Sequence, residues 1–335
     1  MKTNGPNVFL KNPWIIGIVV LFMAVIAVLQ AVYKTREDQN SITLETSHVA
    51  SLLPHEHAKA DSVSDIGHHQ YLLSQMYVAP QDMWISRMDF ELVNAPATIV
   101  HHVSLLDFNE PHQTCASLPF SQRFILAQDT MHHPGVEFPK GTGMLIKKGD
   151  HIMLSLMAHN PLPPLGPGKE YEDVFARLKL SLLTGKQAEN LKPVHFRLIH
   201  LDDEPCVIRE VDQSDAYVFA VPPNSKNYTM SSSNKAQDPS VFKFKKASTI
   251  LYVGAHVHGW QGGKELVVDK NGKQFLDFKT RVALVDSYRH DTPYYPTTLD
   301  MKPGDTLSLH AIYDNPNSVA TRGVMGDLGI YYVEE

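Results

Sequence analysis

Two histidines separated by one residue, His256 and His258, follow an apolar run and are the clearest candidates for chemistry. Residues 249–253 are β-branched, aromatic or apolar, and they predict a strand that enters a core. Because side chains at positions i and i+2 of a strand point to the same face, both imidazoles can reach one metal ion. Neutral imidazole suits copper, zinc, iron and nickel, so the pair alone does not identify a metal.

Histidine is frequent in this chain, which has 18 in 335 residues. Random placement gives about one pair at any fixed offset, so the spacing alone does not establish a site. Further histidines stand where apolar strands are predicted to end, at His101 and His102 and again at His159. Adjacent strand residues point to opposite faces, so one ion can take both His101 and His102 only at a strand end or a bulge.

The elements that must position these residues are predicted to be strands. A hydrophobic fraction of 43% is sufficient for packed cores, and 19 glycines and 22 prolines are spread through the chain as in turn-rich β proteins. Turn signals such as Asn271-Gly272 separate the apolar runs at hairpin spacing. We predict an all-β fold of two antiparallel, jelly-roll-like β-sandwich domains in series, residues 71–185 and 186–335. The net charge of −6 without a basic patch argues against nucleic-acid binding.

The N-terminal part has a different character. Residues 14–33 form an uncharged, apolar run of the length that spans a bilayer. We predict a transmembrane helix there, with a tail at 1–13 and a polar tether at 34–70; a cleaved signal peptide is the alternative. This predicts a single-pass membrane protein with its C-terminal domains outside the cytoplasm, in a periplasmic, extracellular or lumenal space. Cys115 and Cys206 either form one disulfide there or remain free.

Several motifs in the two predicted domains resemble those of one enzyme family. They are FPKGTGMLIKKGDHIMLSLMAHNP, VFAVPPNSKN, AHVHGW and VMGDLGIYYVEE. Over residues 71–335 the chain resembles the copper type II, ascorbate-dependent monooxygenases, which include peptidylglycine α-hydroxylating and dopamine β-monooxygenases.

The resemblance implies two mononuclear copper sites, one with three histidines and one with two histidines and a methionine: His101, His102 and His159, and His256, His258 and Met325. It further implies that O₂ binds at the methionine-containing site, where a C–H bond of a small-molecule or peptide substrate is hydroxylated, while ascorbate supplies electrons. A thioether favours Cu(I), which is consistent with that division. Without the resemblance, Met325 is expected to be core filler.

The chain departs from the peptide-amidating members of that family. Gly254 stands where they have a basic residue, Gly329 where they have tyrosine, and Asp327 where they have asparagine. Because an aspartate repels a carboxylate, we predict that the chain does not amidate glycine-extended peptides. Two rival hypotheses remain: a copper-binding or copper-delivery protein without catalysis, and a structural β-sandwich whose histidines are incidental.

Overall fold

Described residues of the chain form strands almost throughout. In the computed structural model these are residues 40–53, 70–96, 99–108, 123–128, 135–158, 160, 169–201, 220–231, 241–258, 262–280, 295–322 and 324–335. The chain divides into two compact units, Met1–Ile42 and Thr43–Glu335. Only residues 40–42 of the first unit are described.

The strands of the N-terminal half are β1 (Ser41–Glu45), β2 (Val49–Leu52), β3 (Gln70–Leu73), β4 (Tyr77–Val78), β5 (Met83–Val93), β6 (Val100–Asp107), β7 (Arg123–Gln128), β8 (Gly135–Glu137), β9 (Thr142–Ile146), β10 (His151–Ala158) and β11 (Tyr171–Leu183). A 3-10 helix, Gly185–Ala188, follows. The strands of the C-terminal half are β12 (Lys192–Leu201), β13 (Ala220–Val221), β14 (Ser225–Ser231), β15 (Val241–Lys243), β16 (Ser248–Val257), β17 (Gly263–Lys270), β18 (Lys273–Lys279), β19 (Tyr295–Met301), β20 (Thr306–Asn315), β21 (Thr321–Arg322) and β22 (Gly326–Glu334).

These strands pair into four sheets. The largest sheet includes, in order, β11-β5-β9-β12-β22-β16-β19, with β2 on β11 and β8 on β5. A second sheet has the order β3-β10-β6-β7, and a third has the order β14-β20-β17-β18. Strands β13 and β21 form a small separate pair.

Sequence alternation explains the core of the C-terminal half. In β20, every second residue is buried, from Leu307 to Tyr313, and the residues between them are partly exposed. Such alternation is typical of a strand with one face against a core. The core residues come from the largest sheet, for example Ile250 and Leu328, and from the sheet that contains β20, for example Leu266. The two sheets therefore bury their inner faces against each other.

The largest sheet continues from the N-terminal half into the C-terminal half. Its continuity depends on a short parallel pairing in which Lys192 lies opposite Thr142 and Pro193 opposite Gly143. The fully buried Tyr331 reinforces this junction, since its ring lies 5.4 Å from that of Phe138 and 4.9 Å from that of Phe196.

An all-β fold with several sheets is confirmed. Strands β1 and β2 lie inside the stretch 34–70 that the sequence predicts to be a polar tether, and Leu52 of β2 pairs with Tyr171 of β11. Cys115 and Cys206 lie outside the described residues, so the disulfide stays a prediction.

The membrane prediction requires correction. Residues 14–33 lie outside the described part of the chain. Among the residues that are described, no helix has the length and apolar character needed to cross a bilayer, because the chain there is built from strands. This finding contradicts the predicted single-pass membrane localisation with the C-terminal domains outside the cytoplasm.

Candidate functional site

The end of strand β16 brings His256 together with His258, which directly follows the strand. Strand β16 lies between β22 and β19, and its last five residues are buried. His256 is 5% exposed and His258 is 4% exposed. Their ring centroids are 4.8 Å apart with the ring planes inclined by 83°. The shared strand face expected from the sequence therefore becomes a buried, edge-to-face pair of imidazoles.

Tyr313 connects the end of β16 to the start of β22. The His258 N–H donates a hydrogen bond to the Tyr313 hydroxyl oxygen at 3.2 Å. The same hydroxyl donates to the main-chain carbonyl of Met325 at 2.5 Å. Tyr313 is completely buried, and this burial raises the pKa of its phenol above the ordinary value of 10.0. The phenol consequently keeps its proton at neutral pH and remains a donor.

Gly262 and Gly263 allow the main chain at the start of β17 to approach β20 and His258 closely. The backbone of Gly262 has a φ of +89°, and an added Cβ would lie 1.9 Å from the carbonyl oxygen of Asp314. A Cβ on Gly263 would lie 2.8 Å from the carbonyl oxygen of His258 and 3.0 Å from the Tyr313 ring. Residues with side chains are excluded at both positions by this close approach.

The ladder between β16 and β22 determines the neighbours of the histidines. His256 lies opposite Asp327, and Val257 lies opposite Gly326. Continued by one residue, this register brings Met325 opposite His258. The main chain of Met325 is linked to His258 through the hydroxyl of Tyr313. Met325 is half-buried, so its side chain is not part of the innermost core.

Sequence reasoning did not identify Tyr313 as part of the site, and it considered Asp327 only in relation to substrate. Neither residue belongs to a local metal-ligand motif. Tyr313 is one of several apolar or aromatic residues on a regular strand, and its alternation indicates only burial. No signal in the sequence marks its hydrogen bonds to main-chain atoms that are 55 and 12 residues away.

For the three-histidine site predicted in the N-terminal half, the structure describes only the backbone of two of the histidines. His101 and His102 belong to β6, and their side chains lie outside the described part of the structure, as does all of His159. The backbone pairs His102 with Met157 and Val100 with Ala158, so the register shifts at His101. This is the strand irregularity that the sequence requires if both adjacent histidines are to serve one ion. The three-histidine site itself stays a prediction.

The site of His256, His258 and Met325, which all belong to the described part of the chain, stays a prediction. No group of three or more His, Cys, Asp or Glu side chains there is arranged to hold a metal ion. The imidazole pair therefore supplies two nitrogen donors.

Comparison with known proteins gives no family. No protein-family model and no curated protein matches the chain. Among solved structures, PNGF-II is similar over 88% of this chain and 65% of its own length, at 10% identity and a TM-score of 0.34. Peptide:N-glycanase F (PNGase F) is similar over 88% of this chain and 96% of its own, at 8% identity and a TM-score of 0.35. The major capsid protein P2 of bacteriophage PM2 is similar over 88% and 97%, at 7% identity and a TM-score of 0.29. At such low similarity, these proteins say nothing about the activity of this chain.

These findings contradict the resemblance to copper type II, ascorbate-dependent monooxygenases. No protein-family model and no curated protein matches the chain, and the described residues form no group of three or more His, Cys, Asp or Glu side chains that could hold a metal ion. The prediction of a copper-dependent oxidoreductase is therefore wrong, as are its alternative of a copper-delivery protein and its cofactors, two copper ions and ascorbate. The physical reason is that imidazole and thioether ligands in a given order along a chain do not by themselves identify the metal or a redox activity.

Proposed function

We propose that this chain is a non-redox ion-binding protein and that His256 and His258 hold one divalent ion of the zinc class. The observation that carries the proposal is the separation of 4.8 Å between two buried imidazole rings. Zn–N bonds are about 2.0–2.1 Å long, so two imidazoles that share an ion must lie in this kind of proximity. Their common strand face supplies the required direction.

Two protein nitrogens leave coordination positions for other ligands. Zinc sites that act on ligands keep such positions open for water or a small molecule. We propose that a small molecule or a peptide group completes the coordination, and that Met325 is the neighbouring protein residue on the open side. Zinc needs no electron donor, so no redox step belongs to this function.

We propose that residues 71–185 and 186–335 form two antiparallel, jelly-roll-like sandwiches in series, joined through the largest sheet. In support, the core of the C-terminal half draws on both of its sheets. The N-terminal half has the corresponding pair of sheets, one including β11-β5-β9 and the other β3-β10-β6-β7.

We also propose His101, His102 and His159 as a separate, second ion site. The register shift at His101 supports this proposal, because a bulge redirects one of two adjacent side chains. The two sites are distinguished by stoichiometry. His159→Ala should remove one of two bound ions and leave the ion at His256 and His258.

The test is a calorimetric titration of the full chain with Zn²⁺, a redox-inert probe. We expect His256→Ala and His258→Ala each to weaken binding at this site by at least about tenfold, because each removes one of two protein ligands. His310→Ala is the matched control, since His310 is half-buried on another sheet, where its Nδ1 lies 3.2 Å from Oδ2 of Asp269. Equal Zn²⁺ binding by the wild type and the His256→Ala/His258→Ala double variant would contradict the proposal and favour incidental histidines.

A further inference from the structure

We infer that Tyr313 is a positioning residue that separates His258 from Met325 and so opens the ion site at the end of the β16–β22 ladder. The inference rests on the proposed function, because it concerns the same pair of imidazoles. Tyr313 belongs to β20, in the sheet that faces β16 and β22 across the core.

The pairing between β16 and β22 ends just before His258. Regular pairing of the two strands extends to Val257 and Gly326. A further rung in the same register would place the main chains of His258 and Met325 opposite each other. Instead, the His258 N–H and the Met325 carbonyl both bond to one phenolic oxygen, at 3.2 Å and 2.5 Å. The inserted hydroxyl satisfies both groups while it keeps the two backbones from closing on each other.

The Tyr313 phenol is well placed to stay between the main chains of His258 and Met325. Its burial is complete, so its position is fixed by packing. One oxygen acts as acceptor and donor at once, which a hydroxyl can do and a carbonyl or an amide N–H cannot. Gly263 provides the space, because any Cβ there would press on both the His258 carbonyl and the Tyr313 ring.

The consequence concerns the shape of the ion site. If β16 and β22 paired directly at this rung, Met325 would lie against His258, beside the imidazole pair. Because the hydroxyl lies between the His258 N–H and the Met325 carbonyl, we infer that a further ligand of the ion enters at this strand end. The same hydroxyl fixes the backbone of His258, which limits how far its ring can move from that of His256.

Tyr313→Phe removes only the inserted oxygen. We expect the variant to bind Zn²⁺ about tenfold more weakly, a loss typical of residues that orient a ligand. Tyr252→Phe is the matched control, since the Tyr252 hydroxyl also donates to a main-chain carbonyl, that of Glu137, away from the ion site. The control should bind Zn²⁺ within twofold of the wild type even if it loses comparable stability, which separates positioning from a general loss of folding.

The outcomes are distinct. If the wild type binds Zn²⁺ through His256 and His258 and Tyr313→Phe binds equally well, the positioning role is wrong and the proposed function stands. If the wild type does not bind there, both fail. If Tyr313→Phe does not fold, NMR of the wild type decides: Zn²⁺ must shift the His258 amide and Tyr313 ring signals and leave those of Tyr252 unchanged. Unshifted Tyr313 signals would overturn the inference.

Discussion

His256 on β16 lies directly opposite Asp327 on β22. Directly opposed residues of antiparallel strands share a face, with their Cβ atoms about 4.5–5.5 Å apart. The carboxylate also acts on Tyr313: burial is the main cause of the raised pKa of that phenol, and the charge of Asp327 raises it further. One acidic residue therefore borders both the imidazole pair and the tyrosine that holds its strand end.

Asp327→Asn should weaken Zn²⁺ binding on the order of tenfold, because a nearby negative charge stabilises a bound cation. The two side chains have nearly the same shape, so the fold should not change. Calorimetric titration measures the effect, and Asp300→Asn, which alters an exposed carboxylate on β19, serves as control. An unchanged affinity in Asp327→Asn would show that the carboxylate does not act on the ion.

Gly262→Ala should destabilise the protein by about 3 kcal/mol, because the new Cβ meets backbone and the positive φ adds strain. The Cβ would lie 1.9 Å from the Asp314 carbonyl oxygen, and that backbone has little freedom to move. Gly272→Ala is the matched control, with a φ of +74° and no atom within 4 Å of an added Cβ. It should cost about 1 kcal/mol for its backbone conformation alone. Equal costs in urea unfolding would mean that the loop rearranges freely.

Asp305 should make the protein sensitive to acid. Hydrogen bonds from the side chain of Asn271, the amide of Lys302 and the ammonium of Lys270 lower the pKa of Asp305 from 3.8 to about 2. A lowered pKa means that the folded state favours the carboxylate. The stabilisation is thus present above pH 3.8 and is lost as the pH falls towards about 2.

Asp305→Asn removes this titration. Urea midpoints measured between about pH 4 and pH 2 should fall more steeply for the wild type than for the variant. Parallel decreases in the two proteins would show that other carboxylates account for the acid sensitivity of the fold.

Tyr331→Ala should cost about 3–5 kcal/mol, since it leaves a large cavity in a fully packed position. The Tyr331 ring contacts Phe138 in the N-terminal half and Phe196 in the C-terminal half, so both halves should lose stability together. Urea unfolding followed by fluorescence and by circular dichroism tests this. Tyr228→Ala, at an exposed tyrosine, should change stability by less than about 0.5 kcal/mol. Unfolding of one half alone in Tyr331→Ala would contradict the expected coupling.

Local patterns in the sequence predict the strands and turns well. The apolar run before His256 forms β16, and the alternation of residues 306–315 forms β20. The Asn271-Gly272 turn joins β17 to β18, with φ of +54° and +74° at the two residues. Each of these features depends on residues that are close neighbours in the chain, so a single sequence contains the needed information.

Features that depend on distant residues were not predicted. The parallel pairing of β12 with β9, which makes one sheet of the two halves, has no signal in either strand. Strand β2 lies in a stretch that is polar overall, and it becomes a strand because β11 offers it an edge. The family resemblance failed because it rested on the order of short motifs along the chain, and that order does not by itself identify a metal or a redox activity.

By itself, the sequence determined that this chain is built from strands and that His256 and His258 share one strand face, since a spacing of two residues fixes that relation within any regular strand. Tertiary structure alone decided that Asp327 faces His256 and that Tyr313 bridges His258 and Met325. Those contacts depend on the register between strands and on the packing of two sheets, which are set by burial of the whole core and not by any local run of residues.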